Sequence, residues 1–341
     1  MRRSSLVRPC LTGFSRLPET DMIHLQCLLL LSLAILSSPL LCAQVQQRQI
    51  AITIDDLPSN SVGLNGKDTY ALNAKLVATL KQNQIPAVGF VNEKRLYVKN
   101  EVDQRIDSLR VWLDAGFELG NHTFSHMSLS QSTLKDWEDD VIRGETVTGM
   151  LMAERKMKLR YLRHPYLAVG RDLETRRAAD QFLVQRGYRI APITMDAWDW
   201  MYSVGYDIAR RNGDTALQQK LVSSYLDYTT QVFEYQEKLS RDLLGYEPKQ
   251  ILLLHCNWLE ADHIGDVLET LRKRGYTFIP LEDALSDEAY SVPDKYVGED
   301  GTSWIDHWAV TRGTPPQNSP VFPQWVIDLS KGIPRMDQPP L

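Results

Sequence analysis

Beyond Ala43 the chain contains one cysteine, Cys256; Cys10, Cys27 and Cys42 lie in or before an N-terminal leader. That excludes an internal disulfide, so stability rests on a packed core. A lone thiol beside His255 invites a nucleophile reading, but a small buried residue at a strand end is the simpler one. Excess basic charge is also lacking. The net charge is −5, and removing the leader's four arginines with Glu19 and Asp21 makes the rest more acidic still. Nothing here suits nucleic acid, and an acidic protein favours a neutral or cationic substrate over an anionic polymer. Long apolar runs are scarce. The one candidate, Cys27 to Leu41, is short for a membrane span and carries Pro39 near its end. Leu41-Cys42-Ala43 is an acceptable cleavage site, so residues 1–43 read as a signal peptide, with Met22 as an alternative start. An exported bacterial protein is expected; membrane contact follows only if this segment is retained as an anchor. A lipid on Cys42 is disfavoured by the bulk of Leu41. No internal repeat or low-complexity tract is present.

What remains, residues 44–341, alternates short apolar runs with helical patterns. The runs are Gln49–Ile54, Ile85–Val91, Gly116–Leu119, Tyr161–Leu162, Tyr188–Met195, Gln250–Leu254 and Tyr276–Pro280, with amphipathic stretches between most of them. Repeated βα units predict an α/β fold with a mainly parallel sheet, and seven strands suggest a distorted barrel. Residues 201–249 break the rhythm with two helical stretches, 203–211 and 215–244, and Asp214 as a cap for the second. Packing against the barrel is the simpler reading of this insertion; a cleft wall is the sharper one. The tail from about residue 290 is rich in Pro, Gly and Trp and reads as an extended segment wrapping the domain.

Five segments end apolar runs with groups that bind metals or move protons: Asp55-Asp56, His122 to His126, Arg163 to Tyr166, Asp196 to Trp200, and His255. In a βα barrel, reactive groups sit where strands end. Asp55 and Asp56 alone would read as a turn cap before Pro58. His122 and His126, four apart, reach one side of a compact turn; with Asp56 they make two His and one Asp, a set suited to Zn²⁺ or a similar divalent ion. His255 is suited to protonating a leaving amine, held in its tautomer by Asp196 or Asp199. Arg163 is placed to keep Asp55 ionised. His164, His263 and His307 lack metal-ligand spacing and read as structural. The aromatics near these motifs, Trp198 and Trp200 among them, read as sugar platforms or as core.

In these motifs the sequence resembles the polysaccharide deacetylase family, carbohydrate esterase family 4 with its NodB-homology domain, over roughly Gln49 to Leu285. The resemblance implies a distorted (β/α)7 barrel, here with a helical insertion before the last catalytic strand. It implies Asp56, His122 and His126 as metal ligands, Asp55 as base, Arg163 as its partner, and His255 as acid steered by Asp196. Pro165, Tyr166 and Trp200 would shape the substrate groove, with the Tyr166 N–H helping to hold the oxyanion. The implied activity is hydrolysis of N-acetyl groups from an amino-sugar glycan, chitin- or peptidoglycan-like. Rivals are O-acetyl ester hydrolysis on a polymer such as xylan, small-amide hydrolysis, and non-catalytic glycan binding. Leu57-Pro58 stands where the family usually has Gly, and Cys256 where an Asp is common.

Overall fold

The computed structural model describes residues 47–61 and 63–331; the expected signal segment lies outside the described residues. Among the described residues eight strands form: β1 Arg48–Leu57, β2 Ala87–Val91, β3 Glu118–Asn121, β4 Tyr161–Leu162, β5 Arg189–Ile190, β6 Met195–Asp196, β7 Gln250–His255 and β8 Tyr276–Phe278. All pairings are parallel, in the order β5-β4-β3-β2-β1-β7-β6, with β8 on the start of β1. The expected single strand over 188–195 is thus two short ones, and they lie at opposite ends of the order. Five Cα steps from Ile190 to Met195 reach about 19 Å at most. Seven strands laid flat would put those ends about 29 Å apart. The sheet must therefore curl, and the result is the distorted α/β barrel the sequence predicts.

Alternation along β1 separates two cores. Ile50, Ile52 and Ile54 pack outward with Leu252 and Leu254 of β7 and with the helices Gly66–Gln82 and Trp258–Lys273. Ala51, with Ile251 and Leu253, faces inward. Continuing the period of two puts Thr53, Asp55 and His255 on the inward face. Gly120 of β3 is inward as well, because an added Cβ would lie 2.4 Å from the Phe90 ring.

β5 and β6 share no ladder among the described residues. The tail covers this seam instead. Trp304 N–H donates to Ile193 O at 2.7 Å. Trp304, Ile305 and Trp308 of the helix Trp304–Thr311 join the inward core with Phe90, Ile193 and Leu253. So the tail carries short helices and is part of the barrel wall. The helices Asp199–Arg211 and Thr215–Leu244 occupy the insertion, and Asp214 caps the second by accepting the Leu217 N–H at 2.9 Å. Leu221, Tyr225, Val232 and Phe233 join the outer core, the simpler of the two readings. No helix among the described residues is long and apolar enough to cross a membrane.

Candidate active site

The C-terminal ends of β1, β3, β4, β6 and β7 open onto a cavity of about 390 Å³ lined by Asp55, Asp56, His122, His126, Asp196 and His255. A wider hollow of about 570 Å³ beside the helix Leu134–Arg143 holds none of these groups.

Strand alternation alone would point Asp55 and Asp56 to opposite faces. The β1–β2 register shifts between Ile54 and Leu57, and Asp56 takes a left-handed backbone (φ 66°). This bulge turns both carboxylates to the same cavity. Asp56 Oδ2 accepts from Asn60 Nδ2 at 2.6 Å and lies 3.3 Å from Arg95 Nη2. Burial alone would raise the Asp56 pKa, but Arg95, His126 and His122 outweigh it and hold the carboxyl well below its usual range. Its Oδ1 is buried and takes no hydrogen bond; it lies 3.8 Å from His122 Nε2 and 3.6 Å from His126 Nε2. His122 Nδ1 donates to Arg163 O at 2.8 Å, leaving the Nε2 lone pair toward both carboxylates, 3.6 Å from Asp55 Oδ2 and 3.8 Å from Asp56 Oδ1. Burial, then His126, keeps His122 neutral. Ligand atoms of Asp56, His122 and His126 lie within 4.8 Å of one another, and no other such cluster occurs among the described residues. An orphaned carboxylate oxygen facing imidazole lone pairs fits a divalent cation. Arg95→Leu should lower unfolding free energy by about 3–5 kcal/mol in chemical denaturation, because a buried carboxylate loses its cation.

Asp55 and His255 are register partners on β1 and β7. Fully buried Arg163 donates to Asp55 Oδ2 at 3.2 Å, Thr53 Oγ1 at 2.9 Å and Ala191 O at 2.6 Å. Burial raises the Asp55 pKa to about 6, against the lowering by Arg163 and His255. Such a group is ionised at neutral pH yet more basic than an ordinary carboxylate.

His255 Nδ1 donates to Asp199 Oδ1 at 2.8 Å, and Asp199 Oδ2 accepts from the His255 N–H and from Asn257 Nδ2. The expectation that Asp196 steers His255 is therefore corrected. Asp196 accepts its own loop's Trp198 N–H at 2.9 Å, while Asp199 starts the following helix and reaches the histidine. Burial lowers the His255 pKa, but Asp199 outweighs it and raises the group to about 10. The Asp199→Asn variant loses this charge, so the imidazolium gives up its proton at lower pH. The alkaline limb of its kcat–pH profile should move down by at least about one unit, with reduced turnover.

Tyr166 and Trp200 line the cavity; Pro165 is buried behind it and does not. Tyr166, Trp198, His126 and Asp56 all carry left-handed backbones at the rim, each at a cost of about 1 kcal/mol or more. The tail supplies a further wall. Gly298 N–H donates to Gly170 O at 3.0 Å, and a Cβ on Gly301 would meet Tyr166 O and Leu167 C at 2.2 Å. Gly301→Ala must shift this strap, and kcat/KM should fall roughly ten- to hundredfold with the fold retained by circular dichroism.

The polysaccharide deacetylase family model matches residues 43–185. Over that stretch the chain is similar to members of the polysaccharide deacetylase family. Similar solved structures include a mutant of a CE4 family pseudoenzyme with restored enzymatic activity, 17% identical over 71% of this chain and 68% of that one, at TM-score 0.46. A family 4 carbohydrate esterase from Streptomyces lividans in complex with acetate is 20% identical over 68% and 91%, at TM-score 0.42. The peptidoglycan deacetylase PdaC from Bacillus subtilis is 19% identical over 70% and 92%, at TM-score 0.44.

Asp56, His122 and His126 meet as the motifs imply, with Asp55 and His255 in the same cavity. Arg95, Asn60 and the strap around Gly301 escaped the sequence reading. No spacing rule joins Arg95 to Asp56 across 39 positions. Burial raises the Cys256 thiol pKa further, so it stays protonated and is no nucleophile. His164 stacks on Trp137 (5.3 Å between centroids) and also borders the cavity, whereas His263 pairs with Asp266 and His307 with Asp294.

Proposed function

We propose that the chain hydrolyses N-acetyl groups on an amino-sugar oligo- or polysaccharide and releases acetate. The observation that supports this best is the grouping of an orphaned Asp56 oxygen and two imidazoles in one cavity with Asp55 and His255. Asp56, His122 and His126 would hold the cation, Zn²⁺ or a divalent ion of similar preference. A cation there supplies Lewis acidity to the acyl carbonyl and makes nearby water more acidic.

Asp55 accepts the proton of the attacking water, and Arg163 keeps that carboxylate oriented. As the tetrahedral carbon forms, the Tyr166 N–H donates to the developing oxyanion. His255, cationic through Asp199, hands its proton to the departing amine, so that a neutral amino group leaves and acetate remains. An amide needs this acid more than an ester does, because an amine leaves poorly unless protonated. The strongly held imidazolium therefore favours N-acetyl over O-acetyl substrates.

Acetate release from N-acetylated chitooligosaccharides, peptidoglycan fragments and acetylated xylan tests the reading, with metal-stripped and zinc-reloaded protein. N-acetylated glycans should react and should require reloading. Release from xylan alone would transfer the assignment to ester hydrolysis, and glycan binding without release would leave a binding module.

A further inference from the structure

We propose that Trp198 is a stacking platform for a sugar ring adjacent to the acetylated one, which makes the cleft a site for oligomers rather than monosaccharides. This rests on the deacetylase reading given above.

Of the eight tryptophans, Trp198 alone is exposed, at 39%. It is held in a left-handed backbone (φ 54°), fixed by its N–H on Asp196 Oδ1 and by the Met201 N–H on its carbonyl. Rings from separate segments brace the indole without covering it. Phe322 of the tail lies 5.3 Å away at 33°, and Trp200 lies 6.1 Å away at 32°. Phe322 in turn rests on Tyr202 and Tyr228 at 5.1 Å. A large apolar ring on a strained backbone, stiffened from behind and presented to solvent at a cleft, is a surface built for contact.

Its position names the partner. Trp198 precedes Asp199, the residue that holds His255, and lines the same cavity. The amine that His255 protonates belongs to the sugar, whereas the acetyl carbon faces the Asp56 side. The indole therefore meets the glycan and not the acyl group. A pyranose offers a flat C–H face that packs on an aromatic ring, and its hydroxyls find acceptors in the exposed carboxylates of Glu299 and Asp300 on the cavity wall.

Calorimetry with glucosamine tetramer, which carries no acetyl group, and kcat/KM on N-acetylglucosamine oligomers of one to four units test this in the full chain. Affinity and kcat/KM should rise with length in the wild type. In Trp198→Ala that rise should shrink by roughly tenfold, mainly through KM, and Trp198→Phe should recover most of it. Tetramer binding unchanged in Trp198→Ala, or an equal loss on monosaccharide and tetramer, overturns the proposal, as does a wild type that binds no oligomer. Length-dependent binding through Trp198 without acetate release would sink the activity and leave the platform standing. Acetate release without length dependence would do the reverse.

Discussion

Asp56→Ala should lose its metal, from about one divalent ion per chain to near none by elemental analysis, and acetate release should fall by at least about three orders of magnitude. Asp56 contributes the only negative charge among the three grouped residues. Two imidazoles without it make a neutral, weaker and less selective pair of ligands. The loss also strands Arg95 and Asn60, which point at the missing oxygen from within the fold. Secondary structure by circular dichroism separates loss of the ion from loss of the fold. A variant that keeps stoichiometric metal and near-normal turnover would remove Asp56 from the site.

Asp55→Asn, one residue earlier, should behave differently. Asparagine preserves the size and the placement beside Arg163, but it cannot take a proton from water. Turnover should fall by roughly two to four orders of magnitude while bound metal stays near the wild-type level. The contrast is the informative part. Neighbouring carboxylates share one bulge and one cavity, yet only Asp56 is tied to Arg95 and only Asp55 to Arg163. Equal metal loss in both variants would mean that Asp55 is a ligand as well, and the proposed division of labour would fail.

The catalytic-looking residues were legible because each ends an apolar run, and parallel strands deliver such ends to one side of a sheet. What escaped were choices made by three-dimensional packing. Asp196 and Asp199 are equivalent in sequence terms, and only the left-handed turn at Trp198 decides which one reaches His255. The run 188–195 read as one strand because its apolar content is continuous, while the curl of the sheet splits it between two edges. The strap was invisible because glycine at position 301 signals a turn, and the Tyr166 and Leu167 backbone that it approaches lies 135 and 134 residues earlier in sequence.

The seam between β5 and β6, closed by the tail and not by a strand pairing, bears on how this protein must be handled. The matched family model ends at residue 185 and the last motif at His255, so a chain cut near Leu285 would keep every motif. It would lack Trp304, Ile305 and Trp308, leave the Ile193 carbonyl without its donor, and open the apolar interior of the barrel along one side. The boundary of the folding unit thus lies well past the boundary of the recognisable motifs, because the helix Trp304–Thr311 finishes a wall that the strands leave open.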